Sequence, residues 1–213
     1  MNGSRRRMIE RRRLWARLSG AVVVSAGLVS GWLKTDALAQ GEKAMTQQEM
    51  FDLFQKHVEA KLAGDLETTM ATMSANPHLN HVPTMAGGVG RDGVRAFYRD
   101  HLVGKFFPPD ARMETVSRTV GDCQIVEEVF ITFTHTVPID WLLPGVAPTG
   151  KPVAMAVAVI VGFKDGKISH EHTYWDQAGV LVQVGLLDPK GLPVSGGESA
   201  RKVYDPSLPA RKI

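Results

Sequence analysis

The order of elements along the chain predicts an α+β domain, with helices gathered on one face of a curved antiparallel sheet. Three observations carry this. Apolar residues recur at helical steps of three and four over 51–62 and again over 94–102. After Pro108 and Pro109 the chain changes to four long segments of strand character. Several of these are apolar on both faces: Ile125, Val129, Ile131 and Phe133 oppose Val126 and Phe130. That pattern suits a sheet covered by helices on one side and by a partner subunit on the other.

The first 39 residues read as an export signal, with the folded domain over 40–189 and a C-terminal tail over 190–213. Seven arginines and Lys34 against Glu10 and Asp36 give the leader a net +6, leaving −3 of the total +3 for the rest. A mildly acidic body argues against nucleic-acid binding, which needs a basic stripe. Arg11-Arg12-Arg13-Leu14-Trp15 precedes the apolar run from Leu18 to Leu33, and Ala37-Leu38-Ala39 supplies a small-residue cleavage site before Gln40. The paired arginines resemble a twin-arginine signal and predict a periplasmic or secreted protein. The apolar run is shorter than the roughly 20 residues of a spanning helix, so no membrane association is expected after cleavage. The lone Cys123 cannot form an internal disulfide and reads as a small core residue.

Thr46-Gln47-Gln48-Glu49 is a capping box that starts a helix at Gln47. Phe51, Phe54, Val58 and Leu62 form its apolar stripe, Gly64 ends it, and Asp65 caps a second, short helix. Residues 76–84 predict an irregular strand or loop, and the glycine-rich 86–90 a turn, since it lacks the Lys-Ser/Thr of a phosphate loop. A third helix spans about 91–103 with Val94, Phe97, Tyr98 and Leu102 inward. Strands follow over 112–120, 124–137, 153–163 and 167–175, with an apolar loop at Trp141-Leu142-Leu143 that reads as a lid or dimer contact. A short helix over 177–185 closes the domain. The tail beyond Pro189 is rich in Gly, Pro, Ser and charge, and reads as extended or disordered.

The run Lys167 to Asp176, KISHEHTYWD, is the centre of the functional reading. Alternation puts Ile168, His170, His172, Tyr174 and Asp176 on one face, and Ser169, Glu171, Thr173 and Trp175 on the other. Polar groups converging on the first face predict a pocket floor there. His170-x-His172, with His135, His81 or a glutamate, holds ligand types suited to zinc, iron or copper. Two histidines are not a site, and no metal is assigned. Glu127 and Glu128 are one exposed and one pocket or interface carboxylate, which alternation does not rank; Glu128 is carried as a ligand contact.

The segments LAGDLETTMATM (62–73), GRDGVRAFYRD (90–100), PTGKPV (148–153) and DGKISHEHTYWDQAGVLVQVGLLDP (165–189) resemble, in this order, the SnoaL-like branch of the nuclear transport factor 2-like superfamily. That branch includes ketosteroid isomerases and polyketide cyclases, and the resemblance covers about 46–189. It implies a cone-shaped fold whose sheet wraps an apolar cavity, often in a dimer. It also implies a cofactor-independent acid/base reaction (isomerisation, cyclisation, hydration or dehydration) on a small apolar carbonyl compound. Asp176 matches the family's acid/base aspartate. His172, His135 and His81 are its candidate partners, with Tyr174, His170, Trp141 and Phe97 as ligand contacts. Asp176 also suits the cap of the following helix. The alternative function is a periplasmic binding module that uses the same cavity without turnover.

Overall fold

The structure is a computed structural model that describes residues 44–211. The export signal expected over residues 1–39 lies outside the described residues. Helix α1 (Gln47–Ala63) begins at the expected capping box: Thr46 Oγ1 accepts from the Glu49 N–H at 3.2 Å, and the Glu49 carboxylate accepts from the Thr46 N–H at 2.7 Å. Gly64, at φ 79°, closes the helix, and Asp65 caps α2 (Leu66–Thr72) by accepting from the Thr68 N–H at 2.9 Å.

Strand β1 (Met73–His81) is longer than the sequence implies, and the glycine-rich segment is a strand, β2 (Ala86–Val89), rather than a turn. Its glycines permit close backbone contact, for a Cβ on Gly87 would sit 2.0 Å from the Leu79 carbonyl oxygen. Helix α3 (Gly90–Phe97) runs into a π-helical turn (Tyr98–Leu102) instead of continuing as one regular helix. Strands β3 (Arg112–Val120), β4 (Gln124–Thr134), β5 (Pro152–Lys164) and β6 (Lys167–Trp175) follow, then helix α4 (Gln177–Val184).

The six strands form one open, curved sheet in the order β2-β1-β6-β5-β4-β3. All pairs are antiparallel except β1 with β6, which run parallel. Helices α1 to α3 pack over one face, and the main core lies between (Phe54, Met70, Val94, Tyr98, Ile131 and Val161 are representative).

The opposite face of β4 and β5 is covered from within the chain. Residues 198–204, expected to be extended or disordered, form helix α5 (Glu198–Tyr204). Ala200 is buried against Phe130 and Ala154, and the Tyr204 ring stacks on Phe130 at 4.8 Å. Composition missed this because the helix is short and needs only one small and one aromatic residue to dock. No helix among the described residues is long and apolar enough to cross a membrane.

Candidate active site

The floor of the cavity is one row of the sheet. Cross-strand pairing runs Arg118 to Glu127, Glu127 to Val159, Val159 to Thr173 and Thr173 to His81, so these five residues project toward the helices from five neighbouring strands. Above this row lies a cavity of about 110 Å³, walled by Phe54, Val58, Leu102, Trp141 and Val157 among others. At ten to fifteen Å³ per water, that is room for on the order of eight waters. It shares Lys61, Leu62, Phe106, Phe107 and Met113 with an adjoining cleft of about 220 Å³ that extends to Gly104, Pro108 and Ala111. Leu62 and Met113 are exposed, which places the mouth of the cavity between them.

One polar cluster stands at the end near α1. Glu171 of β6 accepts from Lys61 Nζ at 3.2 Å on both oxygens and from Tyr98 Oη at 2.7 Å, and His57 Nε2 lies 3.2 Å away. Burial alone would raise the Glu171 carboxyl. The Lys61 ammonium, bonded to both oxygens, and the hydrogen bond from Tyr98 oppose it, and the group is held well below the ordinary carboxylate range. Burial and the Glu171 charge push the Tyr98 phenol well above its usual value, so it stays a donor. Burial lowers His57. The Thr72 hydroxyl donates to the Thr69 carbonyl, and so its oxygen accepts from His57 Nδ1 at 2.6 Å. Glu171 is therefore an ionised anchor and a poor base. Lys61 spends two of its three donors on it, and its side chain lines the cavity.

His81 is the other reactive group. Its Nδ1 lies 3.2 Å from the Ala86 carbonyl oxygen, which can only accept, so the proton sits on Nδ1 and Nε2 holds a lone pair. Nε2 makes no hydrogen bond among the described residues, and the side chain lines the cavity. Rings of Trp141, Phe97 and Trp175 surround it at 4.9, 5.4 and 5.9 Å. This burial pushes the imidazole down to about 4, against weaker opposing effects of the Ala86 carbonyl and the Glu171 charge. His81 is a neutral acceptor at any pH well above that.

At the far end of the row, Glu127 accepts from Thr115 Oγ1 at 2.8 Å and from Arg118 Nη2. The Arg118 guanidinium lies over the Phe51 and Phe54 rings at 4.9 and 5.8 Å.

The structure does not bring the sequence-derived set together. His81 and Trp141 line the cavity, and Phe97 supports His81 from behind. The remaining six residues lie elsewhere, because the cavity faces Glu171 and Thr173 rather than the histidine face of β6. Ile168 belongs with Glu171 in the interior, since the β5–β6 register shifts between Gly162 and Phe163 and Ser169 is the extra residue. His170, His172 and Tyr174 stand on the outer face. There His78 Nε2 meets His172 Nε2 at 3.0 Å and the His170 ring stacks on His78 at 5.0 Å. Asp176 is an exposed helix cap that accepts from the Gly179 N–H at 2.9 Å. Glu128 points outward to Ser117 Oγ at 2.5 Å, which settles the carboxylate ranking in favour of Glu127. His135 is buried beside Thr149, outside the cavity lining, with Nε2 unpartnered. The Trp141-Leu142-Leu143 loop is core rather than lid: all three are buried, and Trp141 Nε1 donates to the Phe106 carbonyl at 3.1 Å. Among the described residues no group of three or more His, Cys, Asp or Glu side chains is arranged to hold a metal ion.

Sequence reasoning missed His57, Lys61 and Glu171. A signal was present for two of them: Met50, Phe54, His57 and Lys61 recur at steps of three and four, a stripe one position away from the purely apolar one.

The family model of the SnoaL-like domain matches residues 54–171. No curated protein matches the chain. Among solved structures, AclR, a candidate hydroxylase from Streptomyces galilaeus, is 21% identical with a TM-score of 0.51, over 67% of this chain and 89% of that one. A candidate SnoaL-like polyketide cyclase from Jannaschia Sp. CCS1 is 14% identical with a TM-score of 0.54, over 66% and 94%. TsrD from Streptomyces laurentii is 18% identical with a TM-score of 0.53, over 67% and 99%. At these identities the likeness is one of fold.

Proposed function

Because this chain belongs to the SnoaL-like domain family, we propose that its cavity is the site of acid/base chemistry on a small, largely apolar carbonyl compound, without a cofactor. The polyketide cyclase likeness of one structural neighbour supports the reaction class. The single observation that carries the reading is the His81 lone pair held in an apolar chamber that Lys61 also lines. In the proposed reaction, the free N–H of Lys61 donates to the substrate carbonyl oxygen. His81 Nε2 removes a proton from the adjacent carbon, and the C–H electron pair moves into the enolate, whose oxygen Lys61 stabilises. Return of the proton to another carbon gives isomerisation, and attack by the enolate carbon on a second carbonyl gives cyclisation. Glu171 positions Lys61, and Tyr98 and His57 position Glu171.

The test is exchange of protons next to the carbonyl of a small ketone in deuterated buffer, followed by NMR. Wild-type protein is expected to accelerate exchange, and His81→Gln to lose about 10²- to 10⁴-fold of the rate while ketone affinity changes little. Binding without exchange in the wild type would establish the alternative, a ligand-binding module.

Export through the arginine-rich leader and assembly as a homodimer complete the proposal. Tyr174 and the histidine trio lie on the part of the outer sheet face that α5 leaves open. Cell fractionation with N-terminal sequencing tests for a mature chain starting at Gln40. Sedimentation equilibrium of that chain tests the dimer.

A further inference from the structure

We propose that Glu127 is a second recognition point in this cavity, selecting substrates that carry a hydroxyl group remote from the reacting carbonyl. The inference rests on the reading of His81 and Lys61 as the reacting end. Glu127 and His81 lie in the same cross-strand row, three strand spacings apart. At about 4.8 Å per spacing that is about 14 Å along the backbone, shortened by the inward reach of both side chains. Between them the row carries Val159, flanked by the hydrocarbon of Val157 and Val129, and then Thr173 beside His81. A ligand spanning the row is therefore apolar in its middle and polar at both ends.

The chemistry of the far end follows from its hydrogen bonds. Thr115 and Arg118 both donate to Oε1 of Glu127, and Oε2 accepts nothing among the described residues. The carboxylate is buried in the cavity wall and can only accept, so the complementary ligand group is a donor. Arg118 already neutralises the charge, which favours a neutral hydroxyl over a second cation. A ligand without that hydroxyl would leave Oε2 desolvated and unpaired, and a site of this kind discriminates strongly against the deoxy compound.

Benzylacetone and para-hydroxybenzylacetone differ only in this hydroxyl, placed across an aromatic ring from the carbonyl. Calorimetric titration of the full mature chain is expected to show about 10- to 100-fold tighter binding of the hydroxylated ketone. Glu127→Gln should narrow the ratio, and the charge-neutral pair Arg118→Met with Glu127→Leu should abolish it. Proton exchange on benzylacetone by the wild type reads the His81 end on its own, since that ketone has no hydroxyl for Glu127 to accept from. Equal wild-type affinity for the two ketones overturns the role of Glu127 and leaves the His81 reading standing. A preference that survives in both variants also overturns it, by placing the hydroxyl elsewhere. Binding of neither ketone by the wild type overturns both readings.

Discussion

Lys61 Nζ stands 3.2 Å from each carboxylate oxygen of Glu171, although 110 residues separate the two in sequence. The lysine leaves the last turn of α1 and the glutamate rises from the middle of β6, so this pair ties the helical layer to the sheet at the reacting end of the cavity. Glu171 is almost wholly buried, whereas Lys61 keeps 12% of its side chain accessible. Removing the lysine would strand a buried charge. Lys61→Met is expected to cost about 3–5 kcal/mol, and adding Glu171→Gln should restore part of that loss. Urea unfolding of the two single variants and the double variant measures the coupling.

Stability should fall on mild acidification through His81. Its pKa is 6.5 unfolded and about 4 folded, so between those values the unfolded chain binds a proton that the folded chain does not. Stability is then full above pH 6.5 and declines as pH falls toward 4, by about 3 kcal/mol for this one group. His57, lowered in the same direction by burial, adds to the decline. Urea midpoints at pH 7.5 and 5 should differ less in His81→Gln than in the wild type, and an equal difference would count against a neutral buried His81.

The same imidazole sets the pH dependence of the proposed reaction. A base titrating at about 4 is already deprotonated across neutral pH. The rate of proton exchange should be level from pH 6 to 8. A step near 6.5 would assign the base to an ordinary solvated histidine instead.

Two glycines with equal clashes should behave differently. A Cβ on Gly87 would lie 2.0 Å from the Leu79 carbonyl oxygen, and one on Gly162 would lie 2.0 Å from Cε1 of the His170 ring. The first obstacle is backbone inside the β1–β2 pair, the second the tip of a partly exposed side chain that can swing away. Gly87→Ala is expected to cost more than about 2 kcal/mol, and Gly162→Ala less than about 1 kcal/mol. In Gly162→Ala the displaced His170 ring should titrate closer to 6.5, because burial and the neighbouring His172 and His78 no longer depress it. Thermal melts and histidine NMR follow the two effects.

Much of the fold was legible because it rests on local rules. The Thr46 capping box, the Asp65 cap and the glycine stop at 64 are each written within a few residues. The site was less legible because it depends on parity and on layer. Alternation correctly separated His170, His172 and Tyr174 from Glu171 and Thr173. It does not state which face meets the helices, and from sequence alone the polar face reads as the pocket. The structure gives the interior to the face whose single carboxylate has Lys61 and Tyr98 to receive it. That match of partners is tertiary, and no window of sequence contains it. Cap and catalyst compete in the same way at Asp176, and the helix following it decided the matter.

The spare residue at Ser169 has a bearing on how this strand can change in length. Ile168 and Glu171 both face inward with His170 outward, so Ser169 is a syllable the strand pronounces without stress. Its deletion would leave every neighbour on the side it now occupies. Loss of a single residue between 170 and 175 has the opposite result, exchanging inside for outside along the rest of the strand. A hairpin shortened by one residue at Ser169 therefore keeps the same inward and outward faces along β6.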